Sequence, residues 1–371
     1  MNNGPMNKDL QEKGIEASNQ DFSEFEQVNK PQNYQLTEHR GDEEFDTDYV
    51  IPSCDMDQFF NGGKAGRQAF SQQLGNALEG IGFAILTGHG IDQALYQACN
   101  EKVRQCFEQT SVDERMVFEA KRFGSVNQGY FPVKKTTIIH PDLVEGWVFC
   151  RRAFDLPGKT VFDESAFWPG SGYEVVFRAV VKAQEKLILP IMQSMLAYLG
   201  CEPHLYDARL TETNFGFRLN YYPAVSATDR DTGAGRMLGH EDVDLFTFLP
   251  APDIDGLQVL NRNNMKWIRL NAPPGSIILN TGDYMQRLSN DIFPSTTHRV
   301  SHPVNPELLE QPRISFPMAI YLWEDELIEV LPGTGKPKYP PISALKFHTA
   351  ITSKYYGADY AVDKSGDENP G

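Results

Sequence analysis

Apolar residues recur at helical spacing from Gly66 to Leu78, and again from about Asp92 to Gln109, where Leu95, Cys99, Val103 and Cys106 share one face. Between these segments, the run from Gly82 to Thr87 reads as a short buried strand ending at Gly88-His89-Gly90. A third helical pattern covers about Tyr173 to Leu199, and Pro190 inside it is expected to interrupt or kink the helix. The stretch from Arg122 to Phe162 reads as loops carrying Gly129-Tyr130-Phe131-Pro132 and Glu145-Gly146-Trp147. After Thr211 the pattern changes to short strands punctuated by Gly, Pro, Asn and Asp. They fall at Phe215 to Tyr222, Leu245 to Leu249, Leu257 to Asn261, Lys266 to Leu270, Ser276 to Asn280, His298 to Ser301 and Arg313 to Trp323. That spacing predicts a β-sandwich or barrel. The fold class is therefore mainly β with flanking helices (α+β), a helical N-terminal part leaning on a distorted jelly roll.

Residues 1–48 are polar and poor in aliphatic side chains, so they read as a flexible acidic and polar tail, and residues 357–371 read the same way. The expected organisation between them is a helical N-terminal region over 49–210 and a jelly-roll core over 211–356. The formal charge of −16 argues against nucleic acid or an anionic membrane as the main partner, because phosphate binding needs a basic patch. The charge leaves the oligomeric state open, with a monomer favoured. Five scattered cysteines with no CxxC pair suggest reduced thiols in a cytoplasmic protein. No apolar run is long enough to span a bilayer, and the start shows no basic segment followed by an apolar one.

The chemistry concentrates late in the chain. His240-Glu241-Asp242 followed by His298 supplies two imidazoles and one carboxylate, the donor set of a facial non-haem iron(II) site with three open positions. On a strand, His240 and Asp242 would point to the same side, and His298 would close the face from a distant strand. Arg313-Ile314-Ser315 offers a planar fork and a hydroxyl for a carboxylate. In Arg218-Leu219-Asn220-Tyr221-Tyr222-Pro223, Asn220 and Tyr222 share a face, so Tyr222 is expected to complete the clamp and Tyr221 to pack. Among the other histidines, His89 is read as ordering the turn after the first strand. His302 is a rival ligand to His298, His39 and His348 lack partners at useful spacing, and His140 and His204 sit in or beside loops or short helices. Asp244 is read as an acceptor for a ligand N–H or as a polar residue at the rim.

From about Tyr49 to Tyr356 the chain resembles the isopenicillin N synthase-like family of iron(II)- and 2-oxoglutarate-dependent dioxygenases. The resemblance rests on Ile51-Pro52, Gly82-Phe83 and Gly88-His89-Gly90-Ile91, then on Asn220-Tyr221-Tyr222-Pro223 and His240-Glu241-Asp242. It continues through Asp255-Gly256-Leu257-Gln258, Pro274-Gly275, Asn280-Thr281-Gly282-Asp283, His298-Arg299-Val300 and Arg313-Ile314-Ser315, in that order. It implies a double-stranded β-helix core with Fe(II) held by His240, Asp242 and His298. It further implies 2-oxoglutarate chelating the metal with its far carboxylate at Arg313, Ser315 and Tyr222, O2 as the second co-substrate, and ascorbate as a candidate reductant. The implied reaction oxidises a small molecule by hydroxylation, desaturation or ring closure and releases succinate and CO2. Two rival readings are an oxidase of this fold that does not use 2-oxoglutarate, as in isopenicillin N synthase and 1-aminocyclopropane-1-carboxylate oxidase, and a jelly-roll binding protein with a silent metal site. Glu241 stands where the family usually has Thr, Asp244 where a small residue is common, and Phe316-Pro317 breaks the strand after the Arg313 motif. An added acid at Glu241 would bear on which substrates the pocket accepts.

Overall fold

The structure, a computed structural model, describes residues 44–123, 126–133, 143–154, 168, 170, 172–225 and 236–356. Its strands are β1 (Ser53–Asp55), β2 (Phe83–Thr87), β3 (Lys121–Phe123), β4 (Val126–Phe131), β5 (Glu145–Cys150), β6 (Asn214–Tyr222) and β7 (Met237–His240). They continue with β8 (Phe246–Pro250), β9 (Leu257–Asn261), β10 (Lys266–Arg269), β11 (Ile277–Thr281), β12 (His298–Val300), β13 (Arg313–Ser315) and β14 (Met318–Tyr321). The larger sheet runs β1-β2-β11-β8-β14-β6-β5-β4-β3, with β13 also paired to β6, and the smaller one runs β10-β9-β12-β7. The two sheets are the halves of the jelly roll.

Alternation along β6 positions the site. Phe215, Phe217 and Leu219 join the core shared with the long helix Tyr173–Tyr198, where they meet Phe177, Val181 and Ile188. Tyr222 joins the second core, between the sheets, with Phe83, Ile85, Leu257, Val259, Ile268, Ile278 and Val300. Arg218 and Asn220 share the Tyr222 face because side chains alternate with a period of two. The helix Gly63–Ile81 ends on Gly82, whose φ of 72° is left-handed and whose N–H donates to Leu78 O at 2.7 Å.

Several expectations change. The stretch read as loops contains β3, β4 and β5, which extend the larger sheet. Gly129 and Gly146 had obscured their strand pattern, whereas Tyr130 and Trp147 face each other across the pair. The Tyr173–Tyr198 helix runs unbroken through Pro190. Leu187, Ile188, Ile191, Met192 and Met195 are all buried along it, and this packing outweighs the backbone bond that Pro190 cannot make. The strand expected over Arg313 to Trp323 is split at Phe316-Pro317 into β13 and β14. β11 ends at Thr281, and Gly282 leads directly into the helix Asp283–Leu288. The folded part already includes Glu44 to Asp46, inside the expected tail. Phe45 bridges to Trp267, and Glu44 pairs with Arg299 at 2.8 Å. Residues 1–43 and 357–371 lie outside the described residues, as do His39 and His140. No helix among the described residues is long and apolar enough to cross a membrane. All five cysteines are buried and free.

Candidate active site

β7 and β12 are antiparallel neighbours in which His240 and His298 are direct cross-strand partners. Their rings lie 4.4 Å apart between centroids. Asp242 does not share a strand with His240, because β7 ends at His240 and the chain turns beyond it. Backbone bonds pin that turn: Asp242 O accepts from Asp283 N at 2.8 Å and Asp244 O accepts from Tyr284 N at 3.0 Å. The outcome is convergence by a turn rather than by strand alternation. Asp242 Oδ1 lies 3.8 Å from His240 Nε2 and 3.9 Å from His298 Nε2. All three ligand atoms fall within 4.8 Å of one another, the one such cluster among the described residues. His302 is not part of it.

The hydrogen bonds divide the Asp242 carboxylate into two roles. Oδ2 accepts from Thr247 Oγ1 at 2.7 Å and from Asn280 Nδ2 at 2.8 Å, which leaves Oδ1 facing the imidazoles. Burial alone would raise the Asp242 carboxyl, but His298, His240 and these two donors outweigh it and hold it below the usual value. His298 Nδ1 lies 3.1 Å from Thr296 O, a carbonyl that can only accept, so Nδ1 donates there and Nε2 is the nitrogen turned toward Asp242. Phe83 packs edge-on against the same ring at 5.5 Å. Two neutral imidazole nitrogens and one carboxylate oxygen suit a divalent first-row cation, ferrous iron among them.

Thr247 and Thr296 carry no metal-site signature in the sequence, and Asn280 and Phe83 stand in motifs that gave them no role at the metal. Only the fold brings them here. Asp244 is fully buried and lies 2.6 Å from Thr247 Oγ1. Burial and the nearby Asp242 charge push its carboxyl well above the ordinary range. It touches the support of a ligand rather than the rim. Glu241 turns away from the site. Its Oε1 accepts from Thr297 Oγ1 at 2.9 Å and from Arg262 Nη2 at 3.1 Å, so the extra acid is already neutralised.

The four residues expected to receive a carboxylate lie on β13 and β6. Arg313 pairs with Tyr222 and Ser315 with Asn220, which places all four side chains on the inner face. Asn220 Nδ2 donates to Ser315 Oγ at 3.3 Å, and the guanidinium lies over the Tyr222 ring at 5.0 Å. Arg313 is 1% exposed, and its Nε donates to Ile254 O at 3.0 Å while Nη1 has no hydrogen-bond partner. Burial pulls this guanidinium below its ordinary value, although Tyr222 and Asp255 oppose the shift. A buried cation with an unused donor has the chemistry of an anion dock. Tyr221 points outward, stacked on Phe107 at 5.3 Å and bonded to Glu108. His89 orders its turn: Nε2 reaches Gly275 O at 2.8 Å, and Nδ1 accepts from Ile91 N. His204 and His348 bond elsewhere, to Asp207 and Tyr284.

Residues 213–320 match the 2OG-Fe(II) oxygenase superfamily. Residues 51–171 match the N-terminal region of non-haem dioxygenases, described from morphine synthesis. The 2-oxoglutarate-Fe(II) type oxidoreductase hxnY of Emericella nidulans is 26% identical, covering 84% of this chain and 92% of its own. Gibberellin 20 oxidase 3 of Arabidopsis thaliana is also 26% identical, over 83% of this chain and 80% of its own. In structure, a full-length Neurospora crassa protein solved in complex with alpha-KG and thymine superposes with a TM-score of 0.73 at 22% identity, covering 85% of this chain and 99% of that one. A 2OG-Fe(II) oxygenase family protein from Caulobacter crescentus gives 0.68 at 25% identity, covering 82% and 99%. With two successive family regions matched in order on a jelly roll that carries their donor set, the chain belongs to the isopenicillin N synthase-like, 2OG-Fe(II) oxygenase superfamily of non-haem iron enzymes.

Proposed function

We propose that His240, Asp242 and His298 hold the Fe(II), that Arg313, Ser315, Tyr222 and Asn220 receive 2-oxoglutarate, and that the substrate is a small molecule. One observation carries the assignment. Asp242 Oδ1 is kept clear of hydrogen bonds and lies within 4 Å of both imidazole nitrogens, while Oδ2 is fully occupied. When bound, ferrous iron with 2-oxoglutarate and O2 supplies the oxidising power, giving succinate, CO2 and an oxidised substrate. The chain's own residues do the rest. Thr296 O fixes the His298 tautomer, and Thr247 with Asn280 fixes the carboxylate. Arg313 supplies the charge and the fork for the distal carboxylate, beside the Ser315 hydroxyl. The Tyr222, Leu257, Val259 and Ile278 side chains surround this region with apolar surface, which strengthens each charge interaction by excluding water.

In this reading residues 211–356 carry the chemistry and residues 49–210 supply walls around it. The five free thiols support residence in a reducing cytoplasm. The test is O2-dependent succinate release from 2-oxoglutarate by the Fe(II)-loaded protein, with bound iron measured alongside. His240→Ala and Asp242→Ala are expected to lose iron and succinate release while remaining folded. Retention of either property by both variants rules out the assignment.

A further inference from the structure

Arg218 is left unused by the assignments above. It lies on β6 two residues before Asn220, so it shares the inner face with Asn220 and Tyr222. Val148 is its register partner on β5, and Gly146 is the partner of Asn220. A side chain at Gly146 would meet the Arg218 guanidinium, the added Cβ lying 3.1 Å from Nη2. The guanidinium therefore lies flat over Gly146, in space that only a glycine leaves.

Among the described residues, its surroundings hold no countercharge. Arg218 Nε donates to Asn220 Oδ1 at 2.6 Å, and the guanidinium stands 5.8 Å from the Phe131 ring. An amide oxygen is neutral, and Nε is only one of five N–H donors. No carboxylate pairs with Arg218 among the described residues. Glu145, on the adjacent strand, occupies the opposite face, where it bonds Arg115 at 2.9 Å and also Tyr130. The neighbours on the Arg218 side are apolar: Phe131, Val148 and Cys150 form one cluster, with Ala120 and Tyr321 packed against it. A chain of net charge −16 thus sets an unneutralised cation against an apolar wall, one residue pair away from the proposed co-substrate clamp.

We propose that Arg218 is the substrate-reading cation and that the substrate is an organic carboxylate carried on an apolar, preferably aromatic, body. This rests on the oxygenase assignment above. The guanidinium would take the carboxylate through its two free Nη groups, while Phe131, Val148 and Tyr321 bury the body. Nε stays on Asn220, so the same residue also steadies an amide of the clamp.

The test is calorimetric titration, without oxygen, of the full chain loaded with Fe(II) and 2-oxoglutarate. The probes are phenylacetate, 3-phenylpropionate and indole-3-carboxylate, each against its own primary amide. At least one acid is expected to bind roughly tenfold more tightly than its amide, the size of a charge-assisted contact, and Arg218→Gln is expected to erase that preference. Parity of every acid with its amide, weak binding of both included, overturns the proposal without needing any variant. So does a preference that survives Arg218→Gln, or a loss in that variant confined to 2-oxoglutarate, which would assign the charge to the co-substrate. A protein that fails to bind 2-oxoglutarate in the presence of Fe(II) overturns the oxygenase assignment, and this proposal with it.

Discussion

Glu241 and Thr297, the residues immediately after the first proposed ligand and immediately before the last, are hydrogen-bonded to each other at 2.9 Å. Arg262 reinforces the tie, reaching Glu241 at 3.1 Å and bonding Ser295 O in the segment leading to His298. The two histidine strands are thus clamped beside the metal position as well as paired through their backbones.

Glu241→Ala should loosen that clamp. It removes the carboxylate acceptor of Thr297 and Arg262, leaving Arg262 only Ser295 O, and losing one partner of a largely buried pair costs about 3–5 kcal/mol at most, less here because Arg262 is partly exposed. Metal affinity should fall by roughly 10–100-fold, as for other supports of a ligand. Chelator competition and thermal denaturation measure the two effects. Unchanged metal affinity would leave the tie a purely structural one.

Asn280→Ala removes one of the two donors to Asp242 Oδ2. The carboxylate would be free to rotate, and iron affinity should drop about 10–100-fold while the fold persists. Asp242→Ala should lose far more. Equal losses in the two variants would contradict the division of labour between the two carboxylate oxygens.

Arg313→Ala should weaken 2-oxoglutarate binding by roughly 10- to 100-fold, from a charge-assisted contact of about 1.5–3 kcal/mol. Iron binding without co-substrate should be far less affected, because Arg313 belongs to β13 and contacts none of the three ligands. Anaerobic titration of each component separates the two. An unchanged 2-oxoglutarate affinity would dismiss the dock.

Gly282→Ala tests the turn that carries Asp242. An added Cβ would overlap the Asp244 carboxylate and come within 2.5 Å of Asp244 O and 2.7 Å of Asp242 O. The backbone would have to shift, at a cost of about 1–3 kcal/mol, and the ligand would move with it. The melting temperature and iron content should fall together. A stable variant with full iron content would show that the turn yields without disturbing Asp242.

Much of this was written in the linear order of residues. Donor types, the Arg-x-Ser spacing and the Asn220/Tyr222 alternation depend only on side-chain chemistry and on the two-residue period of a strand, so the proposed ligands and the proposed clamp could be nominated from the chain alone. The short strands after Thr211 were legible for the same reason, and β4 and β5 were not, because glycine breaks their pattern where neighbouring chain supplies the packing. Long-range pairing alone decided that His240 faces His298, that Asp242 arrives by a turn held from Asp283, that Glu241 points at Arg262 instead of into the pocket, and that Arg218 pairs with no acid among the described residues. Each of those outcomes depends on which strands lie side by side and on what fills the space between them, and local propensity carries no information about either.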